Sequence, residues 1–249
     1  MIATVVNAVV VIVGSVIGVL FKNAINKRFT DLLMTGLALV VALLGISGAL
    51  KTGDTIGMIL CMVVGMLIGE GIDIERRLDS LGEALKRRVM KGREDASFTE
   101  GFVSASLLFC VGSMAIMGAL EAGTKHEYTI ILSKSIIDGI AAVSLSTAFG
   151  VGVAFSAVTV LGYQGLLTLC AGWITPYFST AVINEMSAIG GLLLIGVSIR
   201  GLTYVLLLSF GVSINMLNPD KHIKVANMLP AMLLPIVYQP LSAWVTSLF

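Results

Sequence analysis

Residues 129–148 read TIILSKSIIDGIAAVSLSTA, an apolar run that contains two opposite charges, Lys134 and Asp138. About 20 residues at helical rise span the hydrocarbon core of a bilayer. A charged group in lipid costs roughly 2.5–3.5 kcal/mol on insertion scales, so an ionisable residue at this depth usually faces a protein interior or a watery cavity. The two residues are four apart, and neighbours on one helix face can neutralise each other. The stretch therefore predicts a membrane-spanning helix that carries a buried ion pair.

The composition of the whole chain predicts a membrane protein. It is 57% hydrophobic and only 12% charged, with a mean hydropathy of +0.98, whereas a soluble domain needs about twice that share of charge. Apolar runs long enough to span occur at 2–20, 31–50, 55–71, 101–120, 129–148, 150–172, 183–210 and 225–248. We predict an all-α, polytopic helix bundle of about eight transmembrane helices that forms one membrane domain over residues 1–249. Residues 184–218 are too long for one upright span and fit either one tilted helix or two short ones.

Basic residues predict the orientation. Lys22, Lys27 and Arg28 follow the first run, and seven lysines and arginines between Arg76 and Arg93 follow the third. Cytoplasmic loops carry an excess of such residues, so both loops are expected inside and the N-terminus outside. The run from Ile2 to Leu20 has no basic region before it, which favours a retained first span over a cleaved signal peptide.

The third loop, residues 72–95, has a helical apolar stripe. Ile74, Leu78, Leu81, Leu85 and Val89 recur at steps of three and four, a spacing typical of an amphipathic helix. Such a helix could lie at the cytoplasmic interface with its basic residues on anionic headgroups. It could equally be a solvated connector that packs on the bundle.

Two stretches of the chain look alike. Phe29-Thr30-Asp31 leads to Gly48-Ala49-Leu50, and Phe98-Thr99-Glu100 leads to Gly118-Ala119-Leu120. This likeness predicts an internal repeat of residues 29–71 and 98–148. Duplicated bundles are a common transporter plan, with the binding site near the midplane.

Further polar residues within the apolar runs complete a candidate binding site around Lys134 and Asp138. Serines are ambiguous, because a hydroxyl in a helix often bonds back to its own backbone. Glu185 is open between a site residue and a helix cap, since a carboxylate at a helix start is favoured by the helix dipole. The added candidates for binding a substrate or ion are Asn7, Ser104, Ser113, Ser144, Asn184 and Glu185.

Several function classes find no support in the sequence. No nucleophile stands beside a base, and no phosphate-binding loop or metal-ligand spacing is present. Cys61, Cys110 and Cys170 lack paired spacing, which indicates small buried residues instead of ligands. With a net charge of +1, nothing suggests nucleic acid. We therefore expect no enzyme, no cofactor and no metal site.

Five segments of the chain carry a family resemblance. The segments are TVVNA (4–8), SFTEGF (97–102), SKSIIDG (133–139), EMSAIGG (185–191) and NMLPA (227–231). Taken together they resemble the YdfK/YqgA-type bacterial membrane proteins, the domain-of-unknown-function family 554. The resemblance covers essentially the whole chain and implies a transporter in the bacterial cytoplasmic (inner) membrane, but it supplies no substrate and no binding residues.

Two functional hypotheses follow. The first is a transporter or channel for a small polar or ionic solute, with a midplane site around Lys134 and Asp138. The second is a non-transporting membrane scaffold or regulatory protein, in which the pair only joins helices. A water-accessible cavity that reaches the pair is expected only in the first. Besides lipid, a second copy of the chain is an expected partner, because small-residue faces favour helix association in membranes.

Overall fold

The computed structural model describes residues 1–22, 27–90, 97–111, 113–209 and 224–246, and all regular structure in these ranges is helical. The prediction of an all-α polytopic membrane protein is confirmed. The helices are α1 (Ile2–Lys22), α2 (Lys27–Ala49), α3 (Thr55–Ile72), α4 (Ile74–Met90), α5 (Ser97–Cys110), α6 (Ser113–Thr124), α7 (Thr129–Phe149), α8 (Gly152–Ile174), α9 (Thr180–Ser209), α10 (Leu229–Leu233) and α11 (Pro235–Thr246).

Six segments of the described chain are long and apolar enough to cross a membrane, and a seventh is added if α5 and α6 count as one span. The six are Ile2–Phe21, Thr55–Ile72, Thr129–Phe149, Gly152–Tyr177, Thr180–Ile199 and Val225–Ser242. Within α2, residues Ala38–Ala49 form a shorter apolar helix. Each of the eight apolar runs of the sequence thus coincides with a helix or a pair of helices.

Two of the runs are broken where the sequence suggested continuous spans. Residues 101–120 divide between α5 and α6, whose axes differ by 61°; α5 ends at Cys110 and α6 begins at Ser113. Residues 225–248 begin as a 3-10 turn, Val225–Met228, and continue as α10 and α11. Prolines stand near the start of α10 and at the start of α11, where a missing N–H is tolerated.

The long stretch 184–218 is one helix as far as the structure describes it. Helix α9 is continuous for 30 residues from Thr180 to Ser209, which corresponds to about 45 Å at helical rise. Residues 210–218 lie outside the described part. The internal repeat stays a prediction: its first copy, residues 29–71, corresponds to α2 and α3, and its second, residues 98–148, to α5, α6 and α7.

The strongest helix contacts fall into two groups, called bundles here, which also pack on each other through a common hydrophobic core. One, called here the α7 bundle, consists of α1, α5, α6, α7 and α8; the other, the α9 bundle, consists of α2, α3, α9, α10 and α11. Glycines allow the close approaches within each. Gly14 lies against Gly139 between α1 and α7, Gly45 and Gly48 lie against Gly191 between α2 and α9, and Gly65 lies against Ala231 between α3 and α10.

Contacts along these pairs fix the helix directions. Helix α2 is antiparallel to α9, because Gly48 lies by Ser187 and Gly45 by Ile195. Helix α1 is parallel to α7, with Gly14 by Gly139 and Gly18 by Val143. These directions agree with a chain whose successive apolar runs cross the membrane in alternating directions.

Helix α4 is amphipathic and packs on the bundles. Ile74, Leu78 and Leu85 lie against the hydrophobic core, and Gly82 faces Thr99 and Phe102 of α5. Leu81 and Val89 of the same predicted stripe are exposed, because the buried face is narrower than the stripe. Since α4 continues from α3 and packs on α5, it connects the α9 bundle to the α7 bundle.

Candidate functional site

The predicted ion pair exists and is buried. Lys134 and Asp138 of α7 are each 5% exposed, and the Lys134 ammonium Nζ donates a hydrogen bond to Asp138 Oδ2. One helical turn separates them, as their spacing requires. Taking two charges out of water is costly unless they are paired and further hydrogen bonded, so the surroundings of the pair are decisive.

Asn7 and Gln164 extend the pair into a network across three helices. Asn7 Nδ2 lies 3.2 Å from Asp138 Oδ2 and 3.0 Å from Gln164 Oε1, and donates to both. Both amide residues are fully buried. The predicted closeness of Asn7 to the pair is confirmed. We call Asn7, Lys134, Asp138 and Gln164 the polar core; it joins α1, α7 and α8.

The polar core keeps unused hydrogen-bonding capacity. Asn7 Oδ1 and Gln164 Nε2 are buried and find no partner in the described ranges. Buried polar atoms are usually paired, so these two atoms distinguish the network from a fully satisfied structural one. Gln164 was not among the candidate site residues, and its only signal in the sequence was an amide at the middle of an apolar run.

A cavity of about 590 Å³ lies beside the ion pair, between the α7 bundle and the α9 bundle. Its size is typical of small-molecule sites. Lys134 and Asp138 form part of its wall, whereas Asn7 and Gln164 lie behind them. Most of the lining is apolar or glycine, from α2, α5, α6, α7 and α9. The polar lining residues are Ser47, Lys51, Lys134, Asp138, Ser144 and Ser187.

The break between α5 and α6 borders this cavity. Phe109 and Val111 at the end of α5 and Met114 and Ala115 at the start of α6 belong to the lining. A helix break leaves backbone carbonyls and amides without intrahelical partners. Such breaks at membrane depth are tolerated where they are buried in protein or line a cavity, and transporters use them at binding sites.

Glu185 has a different environment. Its carboxylate accepts hydrogen bonds from Gly53 N at 2.7 Å, Asp54 N at 3.1 Å and Thr52 Oγ1 at 2.8 Å. It thus holds the loop between α2 and α3, where Asp54 in turn caps α3 by accepting from Gly57 N at 2.8 Å. Glu185 therefore holds the loop between α2 and α3 and is not among the residues that line the cavity.

The remaining candidates divide between the cavity and other places. Ser144 lines the cavity, with its hydroxyl donating to Ile140 O of its own helix at 3.3 Å. Ser104 and Asn184 are half-buried and outside the lining. The side chain of Ser113 lies outside the described part of the chain. The structure therefore brings together Asn7, Lys134, Asp138 and Ser144, and separates them from Glu185.

A second polar cluster lies at the opposite end of the bundle from Glu185. Asn227 Oδ1 accepts from Glu75 N, and Asn227 Nδ2 donates to Glu70 Oε2, both at 2.6 Å. The Glu75 carboxylate accepts from Ala226 N at 2.8 Å, so the start of α4 and the turn before α10 cap each other. A hydrogen bond from Lys224 Nζ to Glu70 Oε1, at 2.6 Å, raises the pKa of Lys224.

This cluster anchors the segment NMLPA to α3 and α4, a role that the sequence could not show. Among the described residues, no three His, Cys, Asp or Glu side chains lie together as a metal site requires. The cavity has the size of a small-molecule site and carries the ion pair on its wall.

Comparison with known proteins gives the chain a family. The family model described as "Protein of unknown function (DUF554)" matches residues 2–239. The chain is 31% identical to the "Uncharacterized membrane protein YdfK" of Bacillus subtilis (strain 168), over 95% of both chains. It is 28% identical to the "Uncharacterized protein YqgA" of Escherichia coli (strain K12), over 98% of this chain and 97% of the relative. No solved structure matches. The chain belongs to the DUF554 family of membrane proteins.

Proposed function

We propose that the protein is a transporter that moves a small polar or ionic solute across the bacterial cytoplasmic membrane through the cavity between its two bundles. The observation that carries the proposal is the position of the Lys134–Asp138 pair on the cavity wall. An ion pair that served only to join helices would be expected to be surrounded by packed side chains on every side. This pair has packed protein on one side, at Asn7, and open volume on the other.

The architecture supports alternating access. Many transporters bind solute near the midplane and expose it to each side by rocking one bundle against another. Here α7 contributes the pair and α2 and α9 form the facing wall, with Gly48 and Gly191 at their contact. The walls thus belong to different bundles, and a relative movement of the bundles would open or close the cavity.

A scaffold function has one specific observation in its favour. Asn7 donates to both Asp138 and Gln164, and interhelical hydrogen bonds of this kind stabilise helix association in membranes. In that case the polar core would only hold the helices together, and water would not enter the cavity. Access of water to the cavity separates the two functions.

Cysteine labelling tests this access without knowledge of the solute. We propose Ser187→Cys and Ser144→Cys, which place a thiol at two positions of the lining, in a protein whose Cys61, Cys110 and Cys170 are replaced by alanine. The reagent is a charged, membrane-impermeant methanethiosulfonate. Ser156→Cys is the matched control, because Ser156 is fully buried on α8 and outside the cavity.

A transporter predicts that the two cavity thiols react and that the control does not. Labelling in right-side-out and in inverted vesicles should show that the reagent reaches the cavity from either side of the membrane. Unreactive cavity thiols in a folded protein would contradict the proposal and favour the scaffold.

A further inference from the structure

We infer that the cavity binds an amphipathic organic anion, a molecule with one acidic head group and an apolar body. The inference rests on the proposed function, since it names the substrate class of the same cavity. It depends on the distribution of polar groups in the lining, on the hydrogen bonds of the ion pair and on the open flank of the cavity.

All of the polar lining residues except Ser144 lie toward one end of the cavity. Gly48 lies against Ser187, so Ser47 near the end of α2, and Lys51 just after it, lie at the level of the start of α9. Helices α7 and α9 are joined through the single helix α8 and begin at the same end. Lys134, the sixth residue of α7, therefore lies toward that end too.

The other end of the cavity is apolar. Its lining includes Leu32, Gly36 and Val40 of α2, Ile140 of α7 and Leu194 of α9. Ser144 is the polar residue at this end, and its hydroxyl is engaged with a backbone carbonyl. From Lys134 to Ser144 the lining follows α7 for about 15 Å of helical rise. A ligand that fits both ends has a polar head and an extended apolar body.

The hydrogen bonds of the pair favour an anionic head. Asp138 accepts from Lys134 and also from Asn7, so it keeps a donor if Lys134 turns toward a ligand. In the described chain Asp138 is the partner of Lys134, and an ammonium group has three donors. A carboxylate can therefore share the Lys134 ammonium with Asp138, which also keeps its hydrogen bond from Asn7. A cation that took Asp138 would strand Lys134, which is costly in a buried site.

Lys51 adds a second lysine at the same end of the cavity. It has other interactions within the protein, so Lys134 is the cation that we assign to the head group.

The flank of the cavity is open between α2 and α7. Val40 and Ile140 line the cavity and yet remain 53% and 66% exposed. In a membrane this opening faces acyl chains, so a ligand with an apolar body can enter from the bilayer. A fully polar ion would gain nothing from such an opening.

The test uses two probes with the same apolar body and different heads, octanoate and octylamine. Radiolabelled octanoate is bound to the full-length protein in lipid nanodiscs, with empty nanodiscs as the blank. We expect saturable binding that unlabelled octanoate displaces and octylamine does not. Lys134→Gln should weaken octanoate binding by about tenfold or more, since loss of one partner of a desolvated charge pair usually exceeds that factor. Lys125→Gln, an exposed lysine outside the cavity, should change nothing.

Gly36→Leu probes the apolar end independently of the ion pair. Gly36 lines the cavity, and a Cβ there would meet no heavy atom within 4 Å, so the substitution adds apolar bulk at this end of the cavity. We expect weaker binding of octanoate and unchanged binding of butanoate. Gly162→Leu is the matched control, since Gly162 is equally unobstructed and lies outside the lining.

The outcomes separate the ligand class from transport. Equal binding of octylamine, or octanoate binding unaffected by both Lys134→Gln and Gly36→Leu, would overturn the assignment of an anion to this cavity. If Lys134→Gln does not fold, the double variant Lys134→Gln with Asp138→Asn removes both charges and takes its place. Octanoate binding without uptake into liposomes would uphold the ligand class and contradict transport. If the cavity thiols react with the water-soluble reagent but the protein binds no octanoate, the transport proposal is upheld and the ligand class is contradicted.

Discussion

Asp138 is the residue on which the stability of the polar core and the proposed transport both depend. It accepts hydrogen bonds from Lys134 and Asn7 and borders the cavity. Removing one member of a fully buried pair typically costs about 3–5 kcal/mol. Lys134 has open volume beside it, however, where water can solvate an ammonium that has lost its carboxylate.

We therefore predict that Asp138→Asn folds with a loss of stability smaller than about 3 kcal/mol and loses solute movement by about tenfold or more, which corresponds to about 1.4 kcal/mol. The measurements are thermal unfolding in detergent and uptake into proteoliposomes. Asp79→Asn, on α4 and away from the cavity, is the control. Loss of folded protein in Asp138→Asn, with Asp79→Asn still folded, would favour the scaffold function.

Glu185 should behave in the opposite way. Its carboxylate accepts from the backbone N–H groups of Gly53 and Asp54 and from the Thr52 hydroxyl. Glu185→Ala leaves these donors without their acceptor, and a buried unsatisfied donor costs about 1–3 kcal/mol. We predict a lower unfolding temperature with octanoate binding retained in the folded fraction. A stable Glu185→Ala protein with lost binding would place this residue in the site after all.

The sequence predicts the members of the polar core only in part, for a physical reason. Ionisable residues in an apolar run are costly, so Lys134 and Asp138 stand out without a structure. Gln164 is a neutral amide with several roles open to it, and only its distance from Asn7 assigns it to the core. Glu185 looked equally prominent, yet its partners come from a loop more than a hundred residues earlier in the chain.

At the scale of helices, glycine contacts decide how closely α2 and α9 approach. A Cβ at Gly45 would lie 2.7 Å from Gly191 O and 2.8 Å from Ile195 Cγ1. Gly45→Ala must therefore separate the helices or distort them, and overpacking of this kind costs about 1–3 kcal/mol. We predict a lower unfolding temperature for Gly45→Ala.

The matched control for that variant is Gly162→Ala on α8, where no heavy atom lies within 4 Å of the added Cβ. In a helix interior, alanine is more favourable than glycine by roughly 0.5–1 kcal/mol, so this protein should be as stable as the parent or slightly more so. Equal effects of the two substitutions would show that α2 and α9 can move apart without cost.

Helix breaks are the features of the elements that hydropathy could not predict. Residues 101–120 are apolar throughout, and a hydropathy average does not register the change of direction between α5 and α6. The prolines within residues 225–248 are a clearer sign of a helix break in the sequence, because proline has no backbone N–H to donate to the helical hydrogen bonds. The cavity is less predictable still: its wall is mostly apolar and comes from five helices.

At the scale of the whole molecule, the basic residues predict its orientation in the membrane. Exposed Arg76, Arg77, Arg87 and Arg88 lie on α4, and cytoplasmic loops carry such an excess. We predict that a reporter inserted after Arg88 is active in the cytoplasm and that one placed before Met1 is active outside. A cytoplasmic signal from both would mean an even number of crossings before α4.

The two bundles are joined at one end by α4, and this joint limits how they can move. Glu75 and Asn227 tie the start of α4 to the α9 bundle, while Gly82 packs on Thr99 of the α7 bundle. We predict that α4 stays packed on α5 while the bundles move relative to each other. A covalent link between α4 and α5 should then be tolerated, whereas a link at a moving joint would stop the cycle.

A disulfide formed by Gly82→Cys and Thr99→Cys tests this inference. A Cβ at Gly82 would lie 2.9 Å from Thr99 Cγ2 and 3.5 Å from Thr99 Cα, which is close enough for a disulfide. With Cys61, Cys110 and Cys170 replaced by alanine, we predict that oxidation leaves uptake into proteoliposomes unchanged. It should also raise the unfolding temperature, since closing a loop of this length stabilises a protein by about 3 kcal/mol. Uptake that stops on oxidation and returns with a reductant would instead identify α4 as the moving element.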